Sequence, residues 1–130
     1  LVEKEEDLRK TVVRYYDEKA EGEAAKTTQA PCCPDSEELG QLQTVQTVIS
    51  FGCGLPVQSS DLRRGEVVLD LGSGTGPDVM AAAREVGPEG LVIGLDMSGR
   101  LTKRAYSSIH SLGLSNTAFI VAAMENIPVR

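Results

Sequence analysis

The stretch LDLGSGTGPD, residues 69 to 78, constrains the fold of this chain more than any other. Upstream, EVVLDLG (66 to 72) is a short β-branched run with no polar face, the pattern of a strand buried on both sides in a parallel sheet. Downstream, Pro77 stands where a first-turn proline is favoured, PDVMAAAREV (77 to 86) reads as a helix, and Gly87-Pro88 ends it. Between them, Gly72, Gly74 and Gly76 permit positive φ and leave the backbone bare, so a ligand crevice belongs at this strand end.

The alternation continues. LVIGLD (91 to 96) predicts a second strand, Ser98 caps a helix whose Leu101, Ala105, Ile109 and Leu112 share one face up to Gly113, and TAFIVA (117 to 122) predicts a third strand. Strands alternating with helices through short connections specify an α/β fold, a parallel sheet with right-handed crossovers. Three strands and two crossover helices make about half of a doubly wound sheet. The chain, opening at Leu1 without an initiator Met, is therefore expected to be a fragment with an unpaired edge and an uncovered apolar face, prone to associate.

Residues 4 to 21 predict a charged helix with Leu8, Val12, Tyr15, Tyr16 and Ala20 on the side to be buried. Residues 22 to 34 lose that periodicity around Cys32 and Cys33 and read as a loop. Asp35 and Glu38 open a second helix, with Leu39, Leu42, Val45, Val48 and Ile49 on its apolar face, which ends before Gly52. The expected division is a helical, cysteine-bearing segment over 1–56 and a sheet-forming segment over 57–130.

A net charge of −6 and a pI near 4.8 argue against a sequence-independent nucleic-acid surface, which needs clustered cations, and favour a small-molecule partner. No apolar run is long enough to span a bilayer. Three cysteines are too few for a secreted disulfide framework, which favours the cytoplasm and reactive or ligand thiols. Cys53 lies between two glycines in FGCGLP, a thiol on bare backbone. The lone His110 falls on the solvent side of its helix.

The glycine spacing narrows the ligand. A dinucleotide fingerprint counted from Gly72 needs glycine or alanine at 77 and meets Pro77, so the pattern is G-x-G-x-G after the acid Asp70. Asp70 can fix the loop or meet a positive ligand group, and Asp96, ending the second strand, is placed to accept from a ribose diol. This arrangement resembles the class I S-adenosylmethionine-dependent methyltransferases, with their Rossmann-like sheet.

Across GCGLP and LDLGSG, then VGPEG (86 to 90) and GLDM (94 to 97), the chain resembles more narrowly the arsenite S-adenosylmethionine methyltransferases. VVRYYDEKA and the Cys32-Cys33 pair resemble their amino-terminal segment. The resemblance implies that Asp70, Gly72, Ser73, Gly74 and Gly76 line the methionine and adenosine side of the cofactor, that Asp96 holds the ribose and that Met97 flanks the adenine. Met124 and Glu125 take the adenine edge, with Ala122 and Ala123 replacing a glycine and an aromatic of the family pattern.

Cys53, with Cys33 or Cys32, would hold trivalent arsenic, a soft centre that selects thiolates. A thiol reductant such as thioredoxin or glutathione is the implied partner. Arsenic(III) carries a lone pair and the sulfonium methyl is already activated, so transfer needs alignment more than a base. Two other readings stay open: a small organic acceptor, and a product that binds cofactor without turnover.

Overall fold

The computed structural model describes residues 2–22 and 56–128. An amino-terminal helix α1 (Val2–Gly22) and a short helical turn α2 (Pro56–Ser59) are followed by β1 (Val67–Leu71), α3 (Pro77–Val86), β2 (Leu91–Asp96), α4 (Gly99–Ser111), β3 (Thr117–Val121) and a 3-10 turn at Met124–Asn126. The strands pair in parallel in the order β1-β2-β3, with Val67 opposite Leu91 in one ladder and Val92 opposite Thr117 in the other. The incomplete Rossmann-like sheet anticipated from the alternating pattern is thus present. The helix expected from Asp35, and the loop bearing Cys32 and Cys33, lie outside the described residues.

Local chemistry sets the boundaries. Pro77 opens α3 where its missing N–H costs nothing, and Gly87, at φ 71°, closes it with its N–H on the Ala83 carbonyl. The Ser98 hydroxyl caps α4 by accepting from the Leu101 N–H at 3.1 Å. Buried Asn116 donates to the Ala83 and Gly87 carbonyls, both at 2.8 Å, and so ties the end of α3 to the start of β3.

The main core cluster lies on one face of the sheet, and Leu95 is fully buried on the other. Val68, Val92 and Phe119, one from each strand, meet Val79, Met80, Ala82, Ala83 and Val86 of α3 and Ile109 of α4. Complete burial of a side chain such as Val79 or Met80 stabilises the fold by about 1.5–3 kcal/mol. Packing over β2 is close enough that a Cβ at Gly94 would lie 2.8 Å from both the Phe119 ring and the Ser73 hydroxyl.

Three sequence expectations need correction. β1 is not buried on both sides: Val67 and Leu71 are 71% and 45% exposed, because α3 and α4 both pack on the Val68 side. On α1, Leu8, Tyr15 and Tyr16 are exposed while Val12 and Val13 are half-buried, and Asp17 and Glu21 tie the helix to Ser98 and Arg100. Leu112 falls at the C-cap of α4 and is exposed, whereas Leu101, Ala105 and Ile109 are buried as the spacing predicts.

Candidate functional site

The carboxyl ends of β1 and β2 carry the chemistry. After Leu71 the chain turns sharply: Gly72 and Ser73 both donate their N–H to the Leu95 carbonyl, at 2.8 and 3.0 Å, which staples the loop to the neighbouring strand. Gly74 follows at φ +53°, and a Cβ there would meet nothing within 4 Å, so the loop is bare on its open side. An L side chain at this position would be strained and would stand in the space a ligand needs.

Asp96 closes the crevice from β2. The Gly74 N–H donates to its Oδ2 at 2.9 Å and the Ser98 N–H to its Oδ1 at 2.8 Å, so two backbone groups fix the carboxylate plane. Each oxygen keeps acceptor capacity for a further donor. Beyond it, half-buried Met97 leads to α4. The Ala122 N–H returns to the Asp96 carbonyl at 3.0 Å and brings the turn bearing Met124 and Glu125 alongside. Both of those side chains are exposed, and Glu125 pairs with Arg9 of α1 at 3.5 Å.

Asp70 shares the covered face of β1 with Val68. Its Oδ2 is buried and, like the buried hydroxyl of Ser73, has no hydrogen-bond partner. Its pKa is raised to about 6, first by desolvation and then by the neighbouring charges of Asp78 and Asp96. Burial also raises Asp78, in the first turn of α3. Among the described residues the charges acting on Asp70 are those of Asp78 and Asp96, a field complementary to a positively charged group. Among the described residues no cluster of His, Cys, Asp and Glu is arranged to hold a metal ion.

The structure brings together most of the expected residues: Asp70, Gly72, Ser73, Gly74, Asp96 and Met97 surround one loop. Gly76 is the exception. A Cβ on it would lie 2.9 Å from Ile109 Cδ1 and 3.2 Å from Ala105, and its N–H is used by the Ser73 carbonyl, so this glycine serves the packing of α3 on α4. Sequence reasoning missed Asp78, although an acid directly after the helix-opening proline was the available signal. Cys32, Cys33 and Cys53 lie outside the described residues. His110 is exposed and stacks on Tyr106 with ring centroids 5.5 Å apart.

Comparison with known proteins agrees with this fold. The family profile described as a methyltransferase domain matches residues 62–130. An arsenite methyltransferase of Halobacterium salinarum is 37% identical over 110 residues, covering 75% of this chain and 28% of that protein. Another from Aquipseudomonas alcaligenes is 30% identical over 131 residues, covering 92% and 37%. The crystal structure of an S-adenosylmethionine-dependent methyltransferase from Aquifex aeolicus superposes with a TM-score of 0.53 at 27% identity, over 57% of this chain and 39% of that one. The chain therefore spans about a third of the length of these curated relatives. An rRNA methyltransferase also matches, so the acidic charge does not by itself remove nucleic acids from the acceptors of such proteins.

Proposed function

Because the chain belongs to the methyltransferase domain family, we propose that it carries the S-adenosylmethionine-binding half of an enzyme that methylates trivalent arsenic held by thiolates. The observation that carries the cofactor reading is the glycine loop itself: bare backbone at Gly72 and Gly74, clamped by Asp96 and facing an uncompensated carboxylate at Asp70.

The residues fit this cofactor. Its sulfonium and ammonium charges match the field of Asp70, Asp78 and Asp96, and the buried unpartnered Oδ2 of Asp70 marks a site short of a donor or a cation. When bound, S-adenosylmethionine supplies an activated methyl group on a positive sulfur. Asp96 would accept from the ribose hydroxyls with a carboxylate already fixed by two backbone N–H groups, so little ordering entropy remains to be lost. Met97 would flank the adenine, and Met124 and Glu125 would take its edge. Gly72, Ser73 and Gly74 leave the backbone approachable along the loop.

For the acceptor, support comes from the G-C-G segment ahead of the loop and from the arsenite methyltransferases among the relatives. Cys53, with Cys33 or Cys32, would bind arsenic(III) as the substrate through soft thiolates and turn its lone pair toward the methyl group. No general base is needed, since the attacking atom carries no proton. Transfer would release S-adenosylhomocysteine and leave the methylated arsenic formally pentavalent, and a thiol reductant such as thioredoxin or glutathione in a reducing cytoplasm would supply the two electrons that return it to the trivalent state.

Native mass spectrometry of the reduced chain, with S-adenosylmethionine and phenylarsenite added separately and together, tests both halves. The expected result is a cofactor adduct together with an arsenical adduct that disappears in Cys53→Ser. An arsenical adduct indifferent to Cys53 sinks the arsenic assignment and leaves the cofactor reading standing; failure to retain the cofactor sinks that reading.

A further inference from the structure

We propose that Asp17 of α1 is a positioning residue for the nucleoside half of the crevice, and that the docking of α1 is coupled to whether the crevice is filled; this rests on the cofactor reading above. Apolar burial alone does not place α1, because Leu8, Tyr15 and Tyr16 remain exposed and Val12 and Val13 are only half-buried. Among the described residues, three polar ties stand out. Arg9 pairs with Glu125, the Ser98 hydroxyl donates to Asp17 Oδ1, and Arg100 pairs with Glu21.

All three partners border Asp96. Ser98 and Arg100 lie at the start of α4, two and four residues beyond it, and Glu125 lies in the turn that the Ala122 N–H fastens to the Asp96 carbonyl. Arg9 and Glu21 stand about 18 Å apart along the helix, so α1 runs past the ends of β2 and β3 and brackets the crevice.

The ties are not equal. Both ion pairs are exposed, and such pairs contribute little beyond orientation. Ser98 is buried, and its bond to a carboxylate is of the stronger, charge-assisted kind.

Ser98 is also a junction. Its N–H holds Asp96 Oδ1 while its hydroxyl holds Asp17, and the Gly74 N–H holds the other oxygen of Asp96. A single hydrogen-bonded chain therefore runs from glycine loop to Asp96 to Ser98 to α1. A diol bound to Asp96 restricts the carboxylate, hence Ser98, hence the seat of Asp17. Because coupling is reciprocal, loosening α1 weakens the ligand by the same factor.

The test uses S-adenosylhomocysteine as the probe, with calorimetric affinity and amide hydrogen exchange of α1, for the wild-type chain, Asp17→Ala, Asp17→Asn and Glu21→Gln. In the wild type the probe is expected to slow exchange along α1. Asp17→Ala removes that slowing and weakens binding about fivefold, the lower end of ordinary coupling between two sites. Alanine favours helix over aspartate, so lost helix propensity cannot produce this result.

Asp17→Asn, which keeps an acceptor oxygen, recovers most of the loss, and Glu21→Gln changes affinity less than about twofold. Exchange at Val92 and Leu95 reports that the sheet is intact in every variant. Probe binding with α1 exchange unchanged, or wild-type affinity in Asp17→Ala, overturns the proposal. A wild-type chain that binds no probe overturns the cofactor reading instead, and the coupling with it.

Discussion

Val92, fully buried, and Val67, 71% exposed, belong to adjacent strands of one sheet and are the same kind of side chain; they differ in which face they occupy. The Val92 face carries the core cluster with α3 and Ile109 of α4, whereas on the Val67 face Leu95 is buried but Val67, Leu69 and Leu71 of β1 stay exposed. Both crossovers advance in the same direction, from β1 to β2 to β3, and connections of one hand running one way deliver their helices to one side. Apolar composition makes either face able to form a core, while the path of the connections decides which one does. The buried carboxylate follows the covered side: Asp70, on that face, owes its raised pKa first to burial there.

The largest expected difference between the faces is structural. Ile109→Ala, at a 2% exposed position of α4, should cost about 3 kcal/mol in urea unfolding, and a loss below about 1 kcal/mol would mean that this face is not the packed core described. Gly94→Ala should come next, at about 2 kcal/mol, since its methyl enters the space of the Phe119 ring and the Ser73 hydroxyl. If the variant unfolds like the wild type, the close approach over β2 is wrong.

Asp70 sharpens the comparison through pH. Its carboxyl is held above the ordinary value to about 6, so the native state favours the proton and the associated stability is full at low pH, then falls as pH rises through 6. Cation binding runs the opposite way. Affinity for S-adenosylmethionine should rise about tenfold between pH 5 and pH 7.5, with a midpoint near 6, and a flat profile in Asp70→Asn would assign the change to this residue. A wild-type profile that is itself flat would remove Asp70 from cofactor recognition. The smallest effect belongs to the open face: Leu69→Thr should change stability by no more than about 0.5 kcal/mol while lowering the sedimentation-average mass of a self-associating sample. A core-sized loss there would show that the face is already covered.

The elements after residue 65 were legible because their signals are local. Pro77, Gly87 and Ser98 each act within one turn of their own position, and the strand limits at 91 and 96 follow an uninterrupted apolar run. Acid Asp70 and the G-x-G-x-G spacing located the crevice for the same reason. What sequence could not supply is relational. An apolar strand such as 67–71 reads alike whether one face or both are covered, Gly76 looks like its neighbours until Ile109 is placed against it, and the Asp17–Ser98 bond joins residues that no periodicity connects. The exposed Leu112 differs from Leu101 only in falling where α4 ends.

The spatial order of the strands repeats their order along the chain, and this bears on how the sheet is assembled during synthesis. β2 finds its partner in a strand already made, and β3 does the same, each after a single helical crossover. Growth can therefore proceed unit by unit as the chain leaves the ribosome, with modest loop-closure cost at each step. The Asn116 clamp acts late in that sequence: by seizing the end of α3 just as β3 begins, it closes the second crossover onto a helix that is already seated.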